Sequence, residues 1–199
     1  KLGPDGKVET RTIVHPMTSA TMKVHRSALS ACWTAAVDRG YAKANPWRQT
    51  RVAKGQEFVA RLLTLDEVRR IVAHTPPQVR PLIEFVAETG LRLGEAQALT
   101  WQHVAKGFGQ IVVARSKAGR ARRVPTTARA RAILSERWER HGVPMKGPDV
   151  VFNALGRSYG WSLYRRACIA AGVGRGVRIH DLRHFVGTSL AQAGVPIPT

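Results

Sequence analysis

Apolar residues recur at three- and four-residue spacing between about Ser19 and Arg39, through Val24, Leu29, Cys32, Trp33, Ala36 and Val37. This predicts an amphipathic helix that stops at Gly40. Asn45-Pro46 closes the segment, and Arg48 to Gln56 mixes Arg, Lys, Gln and Gly without periodicity, as a linker does. Thr64-Leu65-Asp66-Glu67 is a capping box, in which the Thr hydroxyl and the Glu carboxylate satisfy free amides at a helix start. That helix is predicted to run to about His74, where Pro76-Pro77 ends it. An apolar helix follows through Leu82, Ile83, Phe85 and Val86 to Thr89-Gly90, and a further one begins near Gly94, carrying Ala96, Leu99 and Trp101 inward.

The period then changes. Gly109 to Arg115 contains the β-branched run Ile111-Val112-Val113, a basic turn follows, and Arg122-Arg123-Val124-Pro125 resumes an extended pattern, predicting a hairpin. Helices are predicted at about Thr127 to His141, Ser158 to Ala171 and Ile179 to Ala193, with a short strand at Asp149 to Phe152. The fold class is mainly α with a small antiparallel β-sheet (α+β). Residues 1–48 read as a partial helical domain, 49–60 as a linker and 61–199 as a second domain. Lys1 to Met17 has no periodicity and reads as turn and extended chain.

Composition adds a partner. The 199 residues hold 32 Lys+Arg against 13 Asp+Glu, a net charge of +19, which indicates a polyanion and most simply nucleic acid. With 44% hydrophobic and 23% charged residues the chain packs a core and is not a disordered basic tail. No apolar run is long enough for a membrane span and no secretory leader is visible, so a cytoplasmic protein is expected. Cys32 and Cys168, far apart and outside CxxC spacing, are expected to be small buried apolar residues.

Three segments carry chemistry. Thr89-Gly90-Leu91-Arg92-Leu93-Gly94-Glu95 presents Arg92 at a glycine-flanked turn, with Glu95 placed to hold its guanidinium as a fixed fork for a phosphate. The hairpin turn clusters Arg115, Lys117, Arg120, Arg122 and Arg123. His180-Asp181-Leu182-Arg183-His184 opens the last helix, with His180 and Arg183 on one face. Each has a plainer reading: a structural Arg-Glu pair, a solvated basic tip, a helix start. A zinc reading of His180 and His184 is set aside, because the intervening acid is a short Asp and no third ligand follows. Gly172-Val173-Gly174-Arg175-Gly176 lacks the Lys-Ser/Thr of a phosphate loop and reads as a turn.

Taken in order, TGLRLGEA, Lys117 followed by Arg122-Arg123-Val124-Pro125, and the HxxR segment resemble the motifs of the tyrosine recombinase (phage integrase) family, over about Leu63 to Val195. The helix from Ser19 through Asn45-Pro46 resembles the end of that family's core-binding domain. The resemblance implies that Arg92 and Arg183 clamp the scissile phosphate of DNA, that Lys117 protonates the 5′-oxygen leaving group and that His180 assists proton transfer or phosphate binding. Glu95 would brace Arg92, His184 would support the box, and Arg115, Arg120, Arg122 and Arg123 would bind DNA. It further implies double-stranded DNA with inverted-repeat core sites as partner, a homo-oligomer from dimer to tetramer on that DNA, no metal and no cofactor, and a bacterial or phage-encoded, nucleoid-associated protein.

The family's nucleophilic Tyr is expected some tens of residues beyond Arg183, whereas the tyrosines here are Tyr41, Tyr159 and Tyr164. Tyr159 and Tyr164 share a helix with Leu163 and Ala167, whose spacing suggests core packing. The expectation is a C-terminally incomplete catalytic domain, part of a longer integrase, that binds DNA without cleaving it alone. A degenerate protein, a Tyr supplied by a neighbouring subunit and a catalytically inactive DNA-binding regulator on the same fold are the alternatives. An RNA-binding protein fits the charge but accounts for neither Arg segment.

Overall fold

The computed structural model describes residues 17–55, 61–113, 121–141, 149–152 and 157–195. The chain divides into two compact units, Lys1–Val59 and Ala60–Thr199.

In the first unit, α1 spans Ser19–Asp38, capped by the Thr18 hydroxyl, which accepts from the Thr21 amide. Gly40 ends it in a left-handed conformation at φ +74°. Asn45 then folds the chain back: its side-chain amide donates to Ser30 O and Thr34 Oγ1, both at 2.9 Å, while its Oδ1 accepts from the Trp47 amide. Arg26 donates to Trp47 O and Thr50 Oγ1. The predicted helix is present, but its apolar face is not a core face. Val24, Leu29 and Trp33 are exposed, α1 buries no residue, and Cys32, expected to be buried, is exposed. The described residues of this unit offer α1 just one short 3-10 turn, Pro46–Arg48, to pack against.

In the second unit, α2 (Leu65–His74) starts at the predicted capping box, with Glu67 N donating to Thr64 Oγ1 at 3.2 Å and Thr64 N to Glu67 Oε2 at 2.9 Å. Helix α3 (Arg80–Thr89) is the centre of the core. It lies against α2, α4 (Leu93–Gln97), α5 (Ala128–His141) and α7 (Ile179–Gln192). Phe85, fully buried on α3, meets Phe152 with ring centroids 5.0 Å apart. Helix α6 (Arg157–Ala170) buries Leu163, Tyr164, Ala167 and Cys168, the last as expected. Gly172 and Gly174, at φ +70° and +100°, form the turn after it.

Strands β1 (Gln110–Val113) and β2 (Arg122–Pro125) pair antiparallel, with Val113 opposite Arg122 and Ile111 opposite Val124. Two features differ from expectation. Asp149 to Phe152 is not a strand but a single antiparallel bridge, Thr100 to Val150, flanked by Val151 N to Leu99 O and Trp101 N to Asp149 O. With one bridging pair the segment is too short for a ladder. The same bridge limits α4, which ends at Gln97 because Thr100 must be extended to pair. Leu99 is buried as predicted, while Trp101 is half-buried in a separate 3-10 turn.

Candidate phosphate-binding site

The turn between α3 and α4 is built so that an Arg leaves it at the surface. Gly90 caps α3 in the left-handed region at φ +64°, and a Cβ there would lie 3.1 Å from Val186 Cγ1 on α7. A side chain at this position would be strained in conformation and crowded by its neighbour. Leu91 turns into the core, and Arg92, extended at φ −67° and ψ 144°, precedes the first turn of α4. Its backbone amide donates to Glu95 Oε2 at 2.9 Å and its Nη1 to Glu95 Oε1 at 3.0 Å. Glu95 thus braces Arg92 by both main chain and side chain.

A second Arg reaches the same carboxylate. Arg122 on β2 donates through Nη1 to Glu95 Oε1 at 3.0 Å and through Nη2 to Oε2 at 2.7 Å, a bidentate fork. The Glu95 side chain retains 10% of its exposure, against 45% for Arg92 and 31% for Arg122. Burial alone raises a carboxyl pKa, but the hydrogen bonds from Arg122 and Arg92 outweigh it and hold Glu95 down at about 2. Glu95 is a fixed anion in a field of cations.

Arg183 approaches from α7. Its guanidinium donates to the Gly90 carbonyl, which fixes it against the turn that carries Arg92. Its affinity for a proton is lowered first by burial and then by the charges of Arg92 and Arg122, so the three guanidiniums share one neighbourhood. One negative charge against three positive ones leaves a local surplus that an anion would neutralise.

His180 lies one turn before Arg183. Burial, then His184, Arg183 and Arg178, lower its pKa below the ordinary 6.5, so the imidazole is neutral near pH 7. The rings of His180 and His184 meet edge to face with centroids 4.7 Å apart. Buried Asp181 faces elsewhere. It accepts from the Arg178 amide at 2.8 Å and from Arg178 Nη2 at 3.0 Å, closing the start of α7. Burial raises the Asp181 pKa and the Arg178 bonds bring it below its ordinary value.

The structure therefore brings together Arg92, Glu95, Arg122 and Arg183, with His180 and His184 on the adjoining turn of α7. Arg123, opposite in the alternation, is exposed. Lys117, Arg115 and Arg120 lie outside the described residues. Of the tyrosines in the C-terminal unit, Tyr164 is core, its hydroxyl donating to Arg178 O at 3.4 Å and its pKa raised by burial. Tyr159 is exposed, so the core-packing expectation holds for Tyr164 alone. Sequence reasoning missed the Gly90 carbonyl as a partner of Arg183 and the inward direction of Arg122. The two-residue period of β2, which puts Arg122 on the same face as Val124, carried that second signal.

Comparison with known proteins agrees. Residues 61–199 match the family model described as the phage integrase family. The chain is 27% identical over 173 residues to the shufflon-specific DNA recombinase of Escherichia coli, covering 85% of this chain and 43% of that protein. It is 27% identical over 200 residues to tyrosine recombinase XerD of Caulobacter vibrioides, covering 91% of this chain and 65% of that protein. The chain thus spans less than two thirds of the length of these relatives. Among solved structures, a lambda integrase dimer bound to a COC′ core site superposes with a TM-score of 0.71 at 24% identity, covering 88% of this chain and 53% of that one. The Tn1549 transposon integrase in complex with transposon right-end DNA gives 0.71 at 15% identity over 90% of this chain and 69% of that one. At these identities both likenesses show a shared fold. With the model match over the C-terminal unit and both Arg segments in the family's order, this chain belongs to the phage integrase family of tyrosine recombinases.

Proposed function

We propose that this chain is the DNA-binding and phosphate-holding part of a site-specific recombinase, which cuts and rejoins DNA through a 3′-phosphotyrosyl link. The observation that carries this reading is the convergence of Arg92, Arg122 and Arg183 around the Glu95 carboxylate. Phosphoryl transfer spreads negative charge over the non-bridging oxygens, and preorganised guanidiniums are what a protein can contribute there.

In the reaction a Tyr oxygen attacks the scissile phosphorus, the 3′-phosphotyrosyl bond forms, and the bond to the 5′-oxygen breaks. Arg92 and Arg183 neutralise the non-bridging oxygens. Lys117 protonates the departing 5′-oxygen, and neutral His180 accepts or relays a proton beside Arg183. Glu95 and His184 hold Arg92 and His180 in place. Neither metal nor nucleotide enters, since the phosphoester energy is kept in the covalent bond. Residues 1–48 act as a partial core-binding domain and 49–60 as its linker, with 61–199 as the catalytic domain. The partner is duplex DNA with inverted-repeat core sites, bound by a homo-oligomer. Lambda integrase, solved as a dimer on a core site and as a tetramer on a Holliday junction, supports that assembly. A bacterial or phage-encoded protein of the cytoplasm, associated with the nucleoid, fits this role, and among the described residues no helix is long and apolar enough to cross a membrane.

The alternative is a catalytically inactive DNA-binding regulator on the same fold, which the net charge of +19 fits equally well. Duplex binding measured across salt tests the common part of both. The expected result is an affinity that falls steeply, by about 1,000-fold or more between low and moderate salt if about six to ten phosphates are contacted. A flat salt response overturns the nucleic-acid reading.

A further inference from the structure

Arg122 belongs to the hairpin, yet it spends its fork inside the site. Both Glu95 oxygens accept from it, at 3.0 and 2.7 Å, and each also accepts once from Arg92, from Nη1 at 3.0 Å and from the backbone amide at 2.9 Å. Four donors saturate the carboxylate. The division of labour is unequal: Arg122 holds the bidentate position, and the Arg92 side chain keeps a single contact. The more exposed guanidinium is therefore the one whose remaining N–H groups are uncommitted to Glu95.

We propose that Arg122 is a positioning residue that occupies the Glu95 fork, thereby keeping the Arg92 guanidinium turned outward for phosphate and fastening the root of the hairpin to the Arg92 turn. Planar guanidinium and planar carboxylate favour paired N–H···O bonds. With Arg122 removed, Arg92 is the nearest cation able to take both Glu95 oxygens, and doing so withdraws its N–H groups from the ligand side. A Lys at position 122 restores the charge but bonds as a point donor and cannot fill a two-oxygen fork. A direct phosphate contact is less demanding, because an ammonium also binds phosphate, as a point charge, and so would retain part of the effect. The β2 register explains why position 122 holds this role: opposite Val113 and on the Val124 face, it points toward the α4 side of the hairpin, while Arg123 is exposed. The proposal rests on the reading of Arg92 as a phosphate ligand.

The test uses the 199-residue chain, its Arg122→Lys and Arg122→Ala variants, and Glu95→Gln. Guanidinium 15N–1H signals of Arg92 are followed free and at saturation with a random-sequence duplex. The expected result is that the duplex-induced shift of Arg92 falls by about half or more in Arg122→Lys, no better preserved than in Arg122→Ala. Combining Arg122→Lys with Glu95→Gln should add little, because both act through one carboxylate. Restoration of the Arg92 response by Lys overturns the proposal in favour of a phosphate contact, and an unaltered response in Arg122→Ala overturns it outright. If Arg122→Ala does not fold, as judged by thermal unfolding, the Lys variant decides alone. Absence of duplex binding by the parent chain would instead refute the phosphate-ligand reading. In that case the DNA-free Arg92 signals still test the fork, since unchanged spectra in Arg122→Lys overturn it.

Discussion

The Arg183 guanidinium donates a hydrogen bond to the carbonyl oxygen of Gly90, two residues before Arg92. Two cations 91 positions apart in sequence are thereby set by one turn: Arg92 leaves it through the chain, and Arg183 is tied to it across the packing of α3 against α7. The carbonyl points to α7 because Gly90 is left-handed, and the absence of a Cβ lets Val186 approach.

Gly90→Ala should accordingly cost about 1–3 kcal/mol of stability, read as a lower midpoint in chemical denaturation. The loss has two parts, backbone strain at φ +64° and the 3.1 Å approach to Val186 Cγ1. Adding Val186→Ala relieves the second and not the first, so the double variant should remain below one carrying Val186→Ala alone. Equal stability of those two would show that the left-handed conformation is unnecessary.

Glu95 gives the acid-stability profile a recognisable step. Its pKa is depressed from 4.5 to about 2 in the folded chain. The unfolded chain therefore binds the proton first, and the stabilisation is complete above about pH 4.5 and drains away as pH falls toward 2. The difference in unfolding free energy between the parent and Glu95→Gln should be largest above pH 5, at most on the order of 3 kcal/mol, and shrink steadily below it. A difference that does not vary with pH would mean that the carboxylate is not ionically engaged.

Asp181 predicts a contrast between capping and charge. Its carboxylate closes the start of α7 through the Arg178 amide and guanidinium. Asp181→Asn keeps an acceptor for the amide and should cost less than Asp181→Ala, for which about 1–2 kcal/mol is expected from the lost cap. Because α7 carries both His180 and Arg183, Asp181→Ala should also weaken binding of duplex DNA, whereas a cap that served stability alone would leave it unchanged.

The helices of the C-terminal unit were legible because their signals are local. Thr64 and Glu67 cap α2 within four residues, Gly90 stops α3, and β1 coincides with a β-branched run. The same local signals misled where a partner was needed. The apolar period of α1 is intact, but its described surroundings leave Val24 and Trp33 exposed, and Asp149 to Phe152 had strand composition without a second bridging pair. In the site, Arg92, Glu95 and Arg183 stood out through motif order. The carboxylate that Arg92 and Arg122 share did not, because Glu95 and Arg122 are 27 positions apart and meet through a hairpin register that a single sequence does not display.

Covalent attachment to DNA is the sharpest prediction. In the proposed function Arg92, Lys117 and Arg183 lower the barrier for a nucleophile that is already placed; without one water must attack, and the advantage of an oriented neighbour is lost. Tyr164 is unsuited: it is buried, its hydroxyl donates to Arg178 O, and burial raises its pKa. Tyr159 is exposed on α6, so it is the tyrosine to exclude by experiment. A nicked suicide duplex incubated with the 199-residue chain should therefore give no protein-DNA band after denaturation, whereas a chain extended by a Tyr-bearing helix should give one. A band from the 199 residues that disappears with Tyr159→Phe would identify Tyr159 as the nucleophile. In the extended chain, Arg92→Ala and Arg183→Ala should each reduce the rate of band formation by about 100-fold or more, while duplex affinity falls by less than about tenfold. Each removes one of many ground-state phosphate contacts but an essential part of the transition-state clamp.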